Sequence, residues 1–251
     1  MGSISDPAAN TITAQFVDSI SDPTYGSITK SLAQQLISQA LVDLNANGIV
    51  GSNPVTAWTN SGTGGSAYDL DVVVGTGANL TAISALGTTV VNSAGSAGLE
   101  TTSGQTINSP GTVFVVGRFT DPSPSTTQGL FDARSNSGAR WFIGTDGGVS
   151  DRFTIFQGLA GISTASPYDT SPHVFTARFN GDATSQIDIS GLLSATGNAG
   201  SNNLDFGSAF TRFDGTLSAP SYIARLLVFD SALNDSEVAA LQSYLQSLYA
   251  L

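Results

Sequence analysis

From Val50 to Asp230 the chain repeats one texture. Short runs of β-branched and aromatic residues are each closed off by a cluster of Gly, Asn, Asp, Ser or Pro. The runs are 70–74, 112–119, 140–144, 152–156, 173–179, 186–190 and 222–229. β-Branched and aromatic side chains suit a pleated, half-buried surface, and the clusters supply turn residues. Several runs alternate: Ile187 and Ile189 against Gln186, Asp188 and Ser190, and Phe153 and Ile155 against Thr154. A period of two is what antiparallel strands with one buried face show. No repeat of about 20–50 residues recurs, which disfavours propellers and solenoids. Helical patterns do not alternate with the runs, so a parallel α/β sheet is excluded. The expected fold class is mainly β, an antiparallel two-sheet sandwich or jelly roll.

Helices are expected only at the two ends. Ile28, Leu32, Leu36, Ile37, Ala40, Leu41 and Leu44 recur at three- and four-residue spacing. This predicts a helix over 28–47, capped by Ser27 and stopped at Asn47-Gly48. Residues 1–50 are accordingly expected to be an N-terminal anchor or docking segment, with the sandwich over 51–251. Near the other end, Asn234-Asp235-Ser236-Glu237 reads as a capping box. It predicts a closing helix over 235–249, with Val238, Leu241, Leu245 and Leu248 as its apolar stripe.

Composition removes whole classes of function. Only 11% of residues are charged, and 19 acidic against 8 basic residues leave a net charge of −11. Lys30 is the only lysine. A chain without a basic face has nothing to set against phosphates, which excludes nucleic acid and anionic membrane surfaces as partners. With no cysteine and the single histidine His173, thiol nucleophiles, disulfides and Cys/His zinc sites are excluded. No run approaches the roughly 18 apolar residues of a membrane span. Met1–Pro7 has neither a basic nor an apolar signal-peptide region, so synthesis in a cytoplasm without secretion is expected.

Three stretches carry a family resemblance. Tyr222–Asp230, the continuation Ser231-Ala232-Leu233 to Glu237, and the helix through Tyr249 resemble the closing signature of concanavalin A-like jelly rolls of the laminin G-like type. Trp58 to Leu70 resembles the opening strand of such domains. His173–Phe179 followed by Ile187–Gly191 resembles a strand pair of the same domain. Within that family, a domain without cysteines or signal peptide resembles those of bacteriophage virion proteins. Phe16 to Leu32, with Asp22-Pro23, resembles the helical lead-in of phage minor tail proteins. The resemblance implies a non-enzymatic structural protein of a tailed-phage virion, displaying a lectin-like domain for host adsorption. Residues 1–50 would join other virion proteins and the chain would be a homo-oligomer in the particle. A capsid decoration or head-fibre protein is the alternative within that class, and a glycan-degrading enzyme of the same fold the alternative outside it.

The chemistry-bearing residues are few. β-Glucanases of this fold need paired glutamates in an E-x-D-x-x-E pattern. This chain has two glutamates: Glu100, expected in a Ser/Gly loop, and Glu237, expected in the helix cap. No G-x-S-x-G nucleophile elbow is present. His173 reads as a strand-entry residue making a structural hydrogen bond, and Asp69 and Asp71 as a polar pair beside a strand. Exposed aromatics and short polar side chains in loops suit a sugar, which singles out Tyr168 and Asp169, and Trp141 beside Arg140. Core positions are also open to Trp58 and Trp141. For a cation, Asp146 and Asp151 flank a Gly-rich turn, with Asp132 and Asn136 near in sequence, and hard oxygen ligands suit calcium. No other cofactor is expected.

Overall fold

The computed structural model describes residues 19–22, 26–29, 31–49, 53–75, 80–95, 97–121, 127–133, 141–146, 152–158, 161–167, 169–181, 184–190, 193–211 and 220–251. Their strands are β1 (Ser19–Asp22), β2 (Gly26–Thr29), β3 (Val42–Asn45), β4 (Val72–Gly75), β5 (Thr81–Ala85), β6 (Thr88–Ala94), β7 (Ala97–Ile107), β8 (Gly111–Phe119) and β9 (Gln128–Ala133). They continue with β10 (Phe142–Asp146), β11 (Arg152–Phe156), β12 (Gly161–Pro167), β13 (His173–Phe179), β14 (Ser185–Ile189), β15 (Leu193–Gly197), β16 (Leu204–Ala209) and β17 (Pro220–Phe229). The helices are α1 (Leu32–Gln39) and α2 (Asp235–Tyr249). Every run singled out in the sequence overlaps a strand, with 152–156 and 173–179 matched at both ends.

Two antiparallel sheets make the sandwich. The seven-stranded sheet runs β12-β11-β10-β9-β16-β7-β4, and the larger sheet runs β15-β14-β13-β8-β17-β6-β5 with β3 also paired to β17. Phe131, Ile143, Phe153 and Phe206 of the first sheet meet Val113, Val115, Phe175 and Leu226 of the second in the main core. Rings of the two sheets stack directly, Phe153 on Phe175 at 4.7 Å between centroids. A second apolar layer lies on the outer face of the larger sheet. There Phe114, Val116, Leu227 and Phe229 are covered by Ala33 and Leu36 of α1 and by Leu241 and Leu245 of α2.

The closing helix has the expected bounds. Asn234 Oδ1 accepts from the Glu237 amide at 3.0 Å, and Glu237 Oε2 accepts from the Asn234 amide at 2.8 Å. Val238, Leu241 and Leu245 are buried as expected, but Leu248 is 50% exposed and Tyr249 takes its place in the core. The four-residue row 241–245–249 lies against the sheet, and Leu248 falls one position off that row.

The expected helix over 28–47 is corrected at both ends. Gly26–Thr29 is strand β2, paired only with β1. The helix starts after Ser31, whose capping box with Gln34 replaces the expected Ser27 cap, and it ends at Gln39. Val42–Asn45 then turns extended as β3. The cause is tertiary. On one edge of β17, β6 pairs with Pro220–Ile223 only, and β3 takes the next stretch, Arg225–Val228. Val42, Leu44 and Ala46 alternate into the core with no exposed surface. Asp43 points to the other face and holds Arg225 by two bonds, Nε at 2.8 Å and Nη2 at 2.7 Å. Residues 31–49, expected in a separate anchor, are thus built into the sandwich.

Candidate functional site

Strand register sorts the loops into two ends. Asp146 pairs with Arg152, and Arg152 pairs with Pro167, so the last residue of β10, the first of β11 and the last of β12 lie side by side. Asp169, two residues past Pro167, belongs to that end of the seven-stranded sheet. Asp169 Oδ1 holds His173 Nε2 at 2.7 Å and accepts from the Ser171 amide at 2.8 Å. Burial alone would raise its pKa, but the bonds from His173 and Ser171 outweigh it and keep the carboxyl below its ordinary 3.8. His173 is thus the strand-entry residue expected, and it fixes the loop before β13. Tyr168, Arg140, Asp151 and Asn136 lie outside the described residues. Asp132 is on β9, wholly buried. Among the described residues no three carboxylate or imidazole groups gather as a metal would require.

Trp141 belongs to the opposite end and to the core. It is fully buried, its indole stacks on Phe179 at 4.8 Å, and its Nε1 donates to the Asn202 carbonyl at 2.8 Å. The expectation that it offers a face to a sugar is corrected: a large flat ring at a sandwich end contributes more by filling the space between sheets. The Trp58 ring is likewise core, stacked with Phe210 at 6.3 Å. Asp169 and Trp141 are therefore at opposite ends of the seven-stranded sheet.

Sequence reasoning missed the arch above Trp141. Gly158, Gly181, Asn198, Gly200, Ser201 and Asn202 line a cavity of about 210 Å³. The Gln157 amide donates to the Ala199 carbonyl at 2.8 Å, and its side-chain Nε2 donates to Ser109 Oγ and the Asn202 carbonyl, both at 2.9 Å. The only signal in the sequence is the Asn198-Ala-Gly-Ser-Asn-Asn203 cluster, which reads as an ordinary turn. A second groove, about 190 Å³, lies between α2 and β13–β14. Its charges serve the helix: Arg178 pairs with Asp235 at 2.6 Å, and Gln242 bridges Thr176 and Asp188 at 2.9 and 2.7 Å.

The glutamates are far apart in the architecture. Glu100 is in strand β7, not in a loop, with Ser208 on one side and Val72 on the other. Glu237 is in the helix over the other sheet. Two sheets spaced about 10 Å separate them, well beyond the roughly 5–5.5 Å of a retaining pair. Asp132 and Glu100 flank Ser208 on neighbouring strands, but the buried Asp132 is not presented to a polymer.

No family model and no curated protein matches the chain. Solved structures do resemble it. Domain 4 of the extracellular arabinanase AbnA from Geobacillus stearothermophilus, in complex with arabinotriose, superposes with a TM-score of 0.60 at 13% identity, covering 81% of this chain and 98% of that one. The binding domain of botulinum neurotoxin DC in complex with SialylT gives 0.53 at 16% identity over 86% of this chain and 53% of that one. The same domain bound to rat synaptotagmin II gives 0.57 at 14% identity, over 83% and 52%. Trypanosoma rangeli sialidase with the inhibitor DANA gives 0.52 at 14% identity, over 80% of this chain and 32% of that one. The chain thus spans about half of the toxin domains and a third of the sialidase. At these identities the likeness is one of fold: this chain is an antiparallel jelly-roll sandwich.

Proposed function

We propose that the chain is a non-catalytic, lectin-like domain that recognises a glycan from the loops at the ends of its sandwich. The supporting observation is the likeness to the arabinotriose-bound domain across 98% of that domain's length. The separation of Glu100 from Glu237 by both sheets supports a binder over a hydrolase. In this reading Tyr168, Asp169, Arg140 and the Asp146 to Asp151 stretch are the residues available to a ligand, and a calcium ion would be held by Asp146 and Asp151. The sequence resemblance supplies the setting: a tailed-phage virion, tail or capsid surface, with the N-terminal residues joining other virion proteins and the copies assembled in the particle. Incubation with host-wall polysaccharide, with and without a chelator, tests the reading. Retention on the polysaccharide without new reducing ends is expected. Release of sugar would show a hydrolase, and no retention on any wall fraction would remove the glycan reading.

A further inference from the structure

We infer that the cavity above Trp141 is a pocket for a single, uncharged sugar residue. The inference rests on the glycan reading and deepens it, because it fixes the place and chemical class of the ligand. The pocket lies at the end of the sandwich away from Asp169. One lining residue is anchored: the Asn202 carbonyl takes bonds from both Trp141 Nε1 and Gln157 Nε2, and Trp141 stacks on Phe179. Among the described residues its walls are three glycines and the short side chains of Asn198, Ser201 and Asn202, none of them charged. Gly158, Gly181 and Gly200 have φ of +89°, +70° and +105°, a backbone region that disfavours side chains. At Gly158 a Cβ would also meet the Asn202 side-chain amide, so a side chain there would displace that lining group.

The lining offers amide and hydroxyl groups of Asn198, Ser201 and Asn202 beside glycine backbone, and a sugar matches such donors and acceptors with several hydroxyls on one rigid ring. The volume of about 210 Å³ holds roughly seven waters at about 30 Å³ each and falls below the roughly 300–1,000 Å³ of larger ligand sites. It fits one ring, not a chain. An acidic sugar would find no cation in the lining, and the net charge of −11 opposes its approach.

The test uses the full chain and NMR titration with neutral methyl hexosides and with sialyllactose as the acidic probe. The amides of Gly158, Gly181 and residues 198–202 should shift with a neutral hexoside and not with sialyllactose. Ser201→Trp, at an exposed position, should fill the pocket and weaken neutral-glycan binding at least tenfold, whereas Leu248→Ala, half-exposed on α2, should leave it intact. Wild-type binding that survives Ser201→Trp with unchanged affinity, or shifts confined to other residues, overturns the pocket while the glycan reading stands. Preference for sialyllactose overturns the uncharged class. If wild-type protein also fails to bind any wall glycan, the glycan reading fails and the pocket with it.

Discussion

Asp43→Ala is the most informative single change, because it tests whether residues 31–49 are integral to the sandwich. Asp43 and Arg225 meet through two bonds of 2.8 and 2.7 Å. Their side chains are only 10% and 8% exposed. Burial tends to lower the Arg225 pKa, but Asp43 more than offsets it, and the guanidinium stays charged. Removing Asp43 leaves that charge buried and uncompensated, which costs about 3–5 kcal/mol. For a domain of this size, each kcal/mol lowers Tm by about 2–4 °C, so Tm should fall by roughly 6–20 °C. Asp43→Ala with Arg225→Met should recover most of the loss, since a buried pair exchanged for apolar groups is often neutral or stabilising. The pair Arg178–Asp235, whose carboxylate is 89% exposed, is the internal control, worth about 0–1 kcal/mol. Thermal and urea melts of the four proteins make the measurement. An Asp43→Ala Tm within about 2 °C of wild type would refute the reasoning, and β3 would not be seated against β17.

Further outcomes follow from the same packing. A chain beginning at Ser52 loses Val42, Leu44 and Ala46 from the core and should fail to fold cooperatively, whereas one beginning at Lys30 should melt near wild type; circular dichroism melts separate the two. Leu241→Ala and Leu245→Ala should each cost about 2–5 kcal/mol, while the half-exposed Leu248→Ala should change stability little in urea titrations. Asp169 has a folded pKa below its ordinary 3.8, so its bonds stabilise the fold above that pH and the contribution is lost as pH falls through the folded value. Asp169→Asn should therefore lose less stability than wild type between about pH 4 and pH 2, and parallel acid profiles of the two would contradict the sign.

The sequence by itself determined the runs behind β4, β8, β10, β11, β13, β14 and β17 and the closing helix, because both are written in local chemistry. Period-two runs such as Phe153-Thr154-Ile155 need only a pleat to bury one face, and Asn234 with Glu237 closes its capping box within four residues. Tertiary structure decided what local patterns leave ambiguous. Leu41 and Leu44 continue a helical spacing, yet Val42, Leu44 and Ala46 also alternate, and the second pattern won because β17 had an edge to fill. Glu100 looked like a loop residue among Ser and Gly, and became a strand residue because β4 and β16 bracket it. The site residues divided for the same reason. Tyr168-Asp169 and Trp141 carry similar chemistry, but antiparallel register places Asp169 and Trp141 at opposite ends. The arch over Trp141 exists only because residues far apart in sequence, Ser109, Gln157 and Asn202, are tied together by hydrogen bonds that form when two sheets close on each other.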